Sequence, residues 1–165
     1  VFLSTSQHIF EVQYGLVDEF PDIFGALAFS VGVATFTNGT LVVRFGMKRL
    51  VTIFSILFSL TSLLYISIFY GETNPSIGIF VLFLALQFFS VGFLFGNVRS
   101  LAMQPLGHIA GIGAAINGFV STIMAVPIAT FIGGFIETTA LPLFFGFAAC
   151  GFGSLLLLLF VKKSA

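Results

Sequence analysis

Five stretches of predominantly apolar residues, near 23–42, 50–70, 77–98, 111–136 and 142–161, decide what this chain can become. A bilayer core of about 30 Å is crossed by about 20 residues of helix, and each stretch reaches that length. Of the 165 residues, 58% are hydrophobic and 7% charged, against roughly 25% charged in an ordinary soluble domain. That leaves too little polar surface to cover a globule in water, so the expected solvent is membrane lipid. The net charge of zero provides no basic footprint for nucleic acid. The single cysteine, Cys150, lies inside an apolar run and has no partner for an intrachain disulfide. The expected fold class is an all-α polytopic membrane protein.

The opening segment, 1–10, is apolar at its edges but too short to cross, and carries Ser4, Thr5, Ser6, Gln7 and His8. It reads as the last turns of a helix whose beginning is missing, so the expectation is a fragment with five complete transmembrane helices plus the end of a sixth. Charge placement tests that count separately, because Lys and Arg collect in short cytoplasmic loops. The loops carry Glu11, Asp18, Glu19 and Asp22; then Arg44, Lys48 and Arg49; then Glu72; then Arg99; then Glu137; then Lys162 and Lys163. The signs alternate throughout, which places all six basic residues on one side and all six acidic ones on the other. The C-terminus is thereby expected in the cytoplasm. Tyr14, Tyr65 and Tyr70 fall towards the external side, where interfacial aromatics are at home. Asn38-Gly39-Thr40 spells a glycosylation acceptor, but at the cytoplasmic end of a span, and is discounted.

Helical spacing sorts the few polar groups onto faces. Gly25, Gly32 and Gly39 recur every seven residues and predict a close-packing stripe, with Ser30 and Thr37 roughly opposite. Gly92 and Gly96 form a small-xxx-small pair, with Gln87, Ser90 and Asn97 on the far side of that helix. In the fourth complete span Gly111, Ala114, Gly118, Ala125 and Ala129 make a small stripe, while Asn117, Ser121, Met124 and Ile128 make a separate face. An amide in hydrocarbon costs several kcal/mol unless satisfied, so Gln87, Asn97 and Asn117 should bond a neighbouring helix or face a wet cavity. The sequence leaves both open. Ser55, Ser59 and Ser62 read as a tight-packing ridge. The last span, with Cys150, Ser154 and a Gly146, Ala149, Gly153 stripe, is expected to be peripheral and to face lipid.

No H-E-x-x-H, G-x-S-x-G or P-loop occurs, and no nucleophile, acid pair or metal set is visible, so an enzyme is not expected and neither is a cofactor. His8 and His108 fall on opposite sides of the expected topology and cannot share a metal.

The loop after the first complete span reads Gly39-Thr40-Leu41-Val42-Val43-Arg44-Phe45-Gly46-Met47-Lys48-Arg49. It resembles the G-x-L-x-D-R-F-G-R-R/K-R/K loop of the major facilitator superfamily, matching at Gly39, Leu41, Arg44, Phe45, Gly46, Lys48 and Arg49 and departing at Val43 and Met47. A second stretch, Gly96 to Gly111, looks like the N-x-x-x-L-A-M-x-P-x-G-H-x-A-G segment of drug-resistance transporters of the Bcr/CflA type. The opening Ser4 to Tyr14 is similar to the end of that family's seventh helix. The resemblance implies the C-terminal six-helix bundle of a twelve-helix transporter in the inner membrane, whose N-terminal half is missing. Its substrate cavity would lie between the halves, and its ninth and twelfth helices would be peripheral.

Two functions follow as expectations. The first is a secondary active transporter that exports small, partly apolar molecules, including antibiotics, by alternating access, coupled to protons by resemblance. Gln87, Asn117, Ser121 and Met124, with Ser4 and Gln7, would line the substrate cavity. Gly39, Arg44, Gly46, Lys48 and Arg49 would form a cytoplasmic gate loop, and Thr37 and Asn97 would gate or pack at the cytoplasmic end. Proton coupling normally needs a titratable group in the pathway. His8 is the one possibility in the chain, against a plainer reading as a helix-end residue in water. The second function is a non-transporting membrane module that packs its small-residue stripes against a partner helical protein.

Overall fold

A computed structural model describes residues 2–16, 18–71, 74–136 and 139–163. Helix α1 (Phe2–His8) runs into one π turn (Ile9–Gln13) and is followed by α2 (Phe20–Phe45), α3 (Met47–Phe69) and α4 (Ile77–Met103). A 3-10 segment (Gln104–Ile109) then leads into α5 (Ala110–Gly133), and α6 (Leu141–Lys163) completes the order. No strand occurs among the described residues. Four uninterrupted helical stretches are long and apolar enough to cross a membrane: Phe20–Phe45, Met47–Phe69, Ile77–Gly133 and Leu141–Phe160. The third is 57 residues long and contains both α4 and α5.

The helices overrun the apolar stretches at several ends, because charged residues continue the helix into the interface while their stems stay on apolar surface. Thus α2 reaches Phe45 with Arg44 in its last turn, and α4 reaches Met103 past Arg99. Pro21 and Asp22 suit the first turn of α2, where a missing N–H is harmless and an acid favours the dipole. In contrast α5 stops at Gly133 rather than near 136, since tandem glycines weaken its last turn. A single residue joins α2 to α3: Gly46, at φ 79°, donates its N–H to Val42 O at 2.9 Å. That left-handed backbone suits glycine.

Ring contacts run from Phe10 to Phe20 and Phe80, and from Phe80 to Phe144, which brings the starts of α2, α4 and α6 to one end of the bundle. The end of α3 joins them through Tyr65, stacked on Phe144 with centroids 3.6 Å apart. These rings belong to the larger of two buried clusters, with Leu27, Phe83, Leu84 and Leu143. The smaller one, Ala34, Leu50 and Phe93, sits towards the opposite end, where Phe54 stacks on Phe93 at 3.7 Å. The close of α5 meets the opening of α6, where Gly146 admits Ile132. Accordingly α5 runs back towards the end where α4 began, and the 57-residue stretch reverses at its 3-10 segment, where Leu106 leaves helical geometry at φ −104°, ψ 15°.

In the interior α4 packs on both α2 and α3, and α6 packs on α3, reaching α4 through Phe144. The expected glycine stripe on α2 is not what makes its contact. A Cβ built at Gly25, Gly32 or Gly39 meets nothing within 4 Å. The contact uses the opposite face, where a Cβ at Gly92 of α4 would lie 2.6 Å from Ala34 Cβ and 2.9 Å from Val31 O. A glycine row brings helices together only where a partner supplies a matching surface, and here the partner's own glycine provides the close approach. Likewise Gly111 and Gly118 of the α5 stripe, and Gly96 and Gly153, have open space around them. The serine ridge on α3 does pack tightly: Ser55, Ser59 and Ser62 are buried, and a Cβ at Gly151 of α6 would collide with Ser59 Oγ. The last helix therefore faces outward on one side only, since Leu143, Phe144 and Ala148 are buried while Leu157 and Phe160 are exposed.

Replacing Gly92 by Val should destabilise the bundle by about 1–3 kcal/mol through overpacking. Gly32→Ala should stay within about 0.5 kcal/mol of the parent. Thermal unfolding in detergent micelles compares the two, and equal losses would contradict the packing.

Candidate functional site

Most side-chain polar contacts between helices run through α4. Near its basic end Asn97, 3% exposed, donates from Nδ2 to Asn38 Oδ1 at 2.7 Å and to Phe93 O at 2.9 Å. Asn38 Nδ2 donates back to Asn97 Oδ1 at 3.4 Å. The two amides thus clasp α2 to α4. Nearer the other end Ser30 Oγ donates to Ala85 O at 3.0 Å. Thr37, by contrast, donates to Val33 O of its own helix at 2.7 Å.

On the side facing α3, Gln87 is 1% exposed, and its Nε2 donates to Ser62 Oγ at 2.5 Å and to Phe58 O at 3.2 Å. Its Oε1 has no hydrogen-bond partner, and neither does Ser55 Oγ. Ser62 in turn donates to Phe58 O at 2.9 Å, and Ser59 donates to Ser55 O. Of the two alternatives open for the amides, Gln87 and Asn97 take bonds to a neighbouring helix.

The third amide is placed otherwise. Asn117 lies on α5, half-buried, and its Oδ1 accepts from Ser121 Oγ at 3.3 Å; Ser121 and Met124 are exposed. Only Gly113 is buried along α5. The structure therefore brings Asn117, Ser121 and Met124 onto one open face, and leaves Gln87 in a separate packed interface. Gln7, at the start of the chain, is exposed and donates to Glu11 at 2.9 Å. The side chains of Ser4 and His8 lie outside the described residues.

The basic loop is compact. Arg44, Lys48 and Arg49 are all exposed, with the Arg44 guanidinium 5.5 Å from the Phe45 ring centroid. Gly39 and Gly46 have open space around them. A cleft of about 340 Å³ is lined by Phe45, Gly46, Met47, Lys48, Arg49, Leu101 and Gln104. The loop at 46–49 thus sits beside the turn that follows α4. The nearby Arg99 guanidinium lies 4.3 Å from the Phe95 ring centroid, a cation–π distance.

At the opposite end Asn74 ties three segments together. It donates to Gln13 Oε1 at 2.8 Å and accepts from the Ala140 N–H at 2.9 Å. Tyr14 donates to Pro75 O at 3.0 Å, and burial pushes its hydroxyl pKa up to about 12. Sequence reasoning weighed Asn38 only as a glycosylation acceptor and gave Gln13 and Asn74 no role. Asn38 had a usable signal, since it falls four residues after Ala34 on the face that meets α4, whereas Asn74 sits in a connection where periodicity says nothing. Among the described residues no three His, Cys, Asp or Glu side chains are grouped as a metal ion would require.

The two buried amides make separable predictions. A double-mutant cycle of Asn38→Ala and Asn97→Ala should give a coupling of about 0.6–1.7 kcal/mol, the range for hydrogen bonds between membrane helices, in unfolding titrations. Gln87→Glu keeps the shape but sets a carboxyl oxygen against Phe58 O. It should cost about 1–3 kcal/mol more than Gln87→Leu, which removes the unpaired acceptor together with the donor.

No family model, curated protein or solved structure matches this chain.

Proposed function

We propose that the chain is one half of a secondary active transporter, which exports small, partly apolar molecules by alternating access with proton coupling. The observation that carries this reading is an asymmetry of polar faces. Helices α2, α3, α4 and α6 bond and pack among themselves, while α5 holds the exposed Ser121 and Met124 and the half-buried Asn117 on one face. Polar groups facing hydrocarbon cost several kcal/mol, so that face belongs towards a wet cavity or a further helical partner. A second half supplies both.

In this reading α2, α3, α4, α5 and α6 are five crossings, and α1 with its π turn is the end of a sixth. The 57-residue stretch supports a split, since as one straight helix it would be about 85 Å long against a core of about 30 Å. The positive-inside rule then sets the Arg44, Lys48, Arg49 end and the C-terminus in the cytoplasm, with the protein in the inner membrane. Asn117, Ser121 and Met124 contact substrate, with Gln7 and Ser4 at the outer mouth. Gln87 supports them from behind by holding α3 to α4. Arg44, Lys48 and Arg49, on a one-residue turn, latch the inner side, and Asn97 with Thr37 stiffens the helix ends beside it. The sequence resemblance to major facilitator drug exporters supports the reading as one half of a transporter with a basic loop on its inner side.

Cells expressing the chain together with such a first half should show efflux of hydrophobic antibiotics and dyes that a protonophore abolishes. Replacing Asn117 and Ser121 by Ala should lower efflux about tenfold at equal protein level, the size of one lost substrate hydrogen bond of roughly 1.4 kcal/mol. Unchanged efflux would remove α5 from the pathway.

The open glycine row of α2 favours a second reading, a module that binds a partner helical protein without moving solute. Neutralising Arg44, Lys48 and Arg49 would then change assembly alone.

A further inference from the structure

Lys48 and Arg49 are charges without a counter-ion. They line the cleft of about 340 Å³ between the α2–α3 turn and the end of α4, with Phe45, Met47, Leu101 and Gln104 on its other walls. Neither cation has an ion pair or a side-chain hydrogen bond with a described residue. Two other cations at this end, Arg44 and Arg99, each lie near a phenylalanine ring. No acid approaches from the neighbouring elements, since the stretches 23–71 and 73–136 contain no Asp or Glu. Glu72 and Glu137 follow helices that finish at the opposite end of the bundle.

The same two cations stand in the first turn of α3, where the helix dipole opposes positive charge. That turn has no acid, and Gly46 at its cap has no side chain to accept from the first N–H groups, which lack partners within the helix. Local rules broken together at one place mark a site with a further task. An anion in the cleft resolves all of them, because it neutralises the side chains, accepts from the N–H groups and reverses the dipole penalty. Place and lining then select what carries the anion. The cleft lies where α2 and α4 leave their apolar stretches, at the level of the membrane surface. Phe45, Met47 and Leu101 give it carbon walls beside the cations, and the exposed Gln104 adds an amide donor. A soluble anion has no use for the carbon, whereas a lipid with an anionic head uses both, as basic pockets between membrane helices do.

We infer that this cleft binds the phosphate of an anionic phospholipid from the leaflet at the basic end, held by Lys48, Arg49 and the opening N–H groups of α3, with the acyl chains leaving past Phe45 and Leu101. The site requires residence in a membrane and does not depend on transport.

The chain contains no tryptophan, so one introduced residue reports without background. Phe45→Trp places a reporter in the cleft, and Leu101→Trp places a second on its other wall, which keeps the proposal falsifiable should the first variant not fold. The full chain is reconstituted in phosphatidylcholine vesicles that carry increasing fractions of phosphatidylglycerol or phosphatidylcholine brominated high in the acyl chains. Brominated phosphatidylglycerol should half-quench the reporter at about a tenfold lower mole fraction than brominated phosphatidylcholine. Arg49→Gln should reduce that preference about fivefold, the effect of one surface cation, and adding Lys48→Gln should remove it with helicity unchanged. Arg99→Gln takes the same charge from the same end but from outside the cleft, and should cost less than about twofold, because salt confines each exposed charge to its neighbourhood. Equal losses for R49Q and R99Q would overturn the site, as a diffuse surface potential. Equal quenching by the two lipids at both reporters would overturn it as ordinary lipid contact. Excess inorganic phosphate at constant ionic strength should leave the quenching unchanged, and displacement of the lipid by it would overturn the lipid as the carrier of the phosphate.

Discussion

The bundle depends on α4 being held from both flanks by side-chain amides where water cannot compete. Asn97 reaches α2 near the basic end, and Gln87 reaches α3 about ten residues earlier along the same helix. Two bonds at different heights and on different sides fix rotation as well as position. Apolar packing alone does this poorly in a membrane, because lipid tails offer leucine and phenylalanine nearly the same surroundings as another helix does. The glycine at 92 matters for the same reason. By letting the backbone of α2 approach α4, it brings Asn38 within reach of Asn97 and Ser30 within reach of the Ala85 carbonyl.

Phenylalanine has a complementary role. At the acidic end, rings from the π turn, α3, α4 and α6 meet around Phe80 and Phe144, and Tyr65 stacks between helices rather than reaching an interface. Ring pairs add directional preference to surfaces that otherwise lack it, about 0.5–1.5 kcal/mol each beyond burial. Asn74 then fastens the connections outside the rings, joining the end of the π turn to the loop before α6. The basic end is closed more economically, by the single glycine turn at Gly46, which forces α2 and α3 into adjacency although few of their side chains meet.

The apolar lengths in the sequence marked where α2 to α6 lie, because hydrocarbon thickness needs no tertiary knowledge, although the helical stretches long and apolar enough to cross a membrane number four, one of them holding both α4 and α5. Their ends were less legible: Arg44 and Arg99 look like stop signals in composition yet lie inside helices, since long cationic stems extend to water. Face assignment separated into two cases. The serines of α3 were recognisable, as small hydroxyls at helical spacing can pack only by bonding their own backbone. Gly25, Gly32 and Gly39 misled, because a smooth face states what a helix could accept and says nothing of whether a partner is there. Gln87 and Asn117 look alike in sequence, each an amide within a long apolar run. What separates them is the neighbouring helix: Gln87 meets Ser62 across it, whereas half-buried Asn117 bonds Ser121 of its own helix.

That difference also sets how the parts can move. The four helices α2, α4, α3 and α6 are joined in series by amide bonds, a hydroxyl bond, stacked rings and glycine contacts, so displacing one strains several. Helix α5 is attached at its ends. One end follows Pro105 and the non-helical Leu106, the other runs into Gly133 and Gly134, and Pro127 removes a backbone bond in between. At its ends Gly113 lies close to Leu106 and Met103, Gly133 to Thr5, and Ile132 to Gly146 of α6. A helix held at both ends and loose along its length can tilt without breaking the block behind it. In an alternating-access cycle, such a helix would change its exposure while the other four move as a unit. The polar face of α5 would then be the surface that alternates.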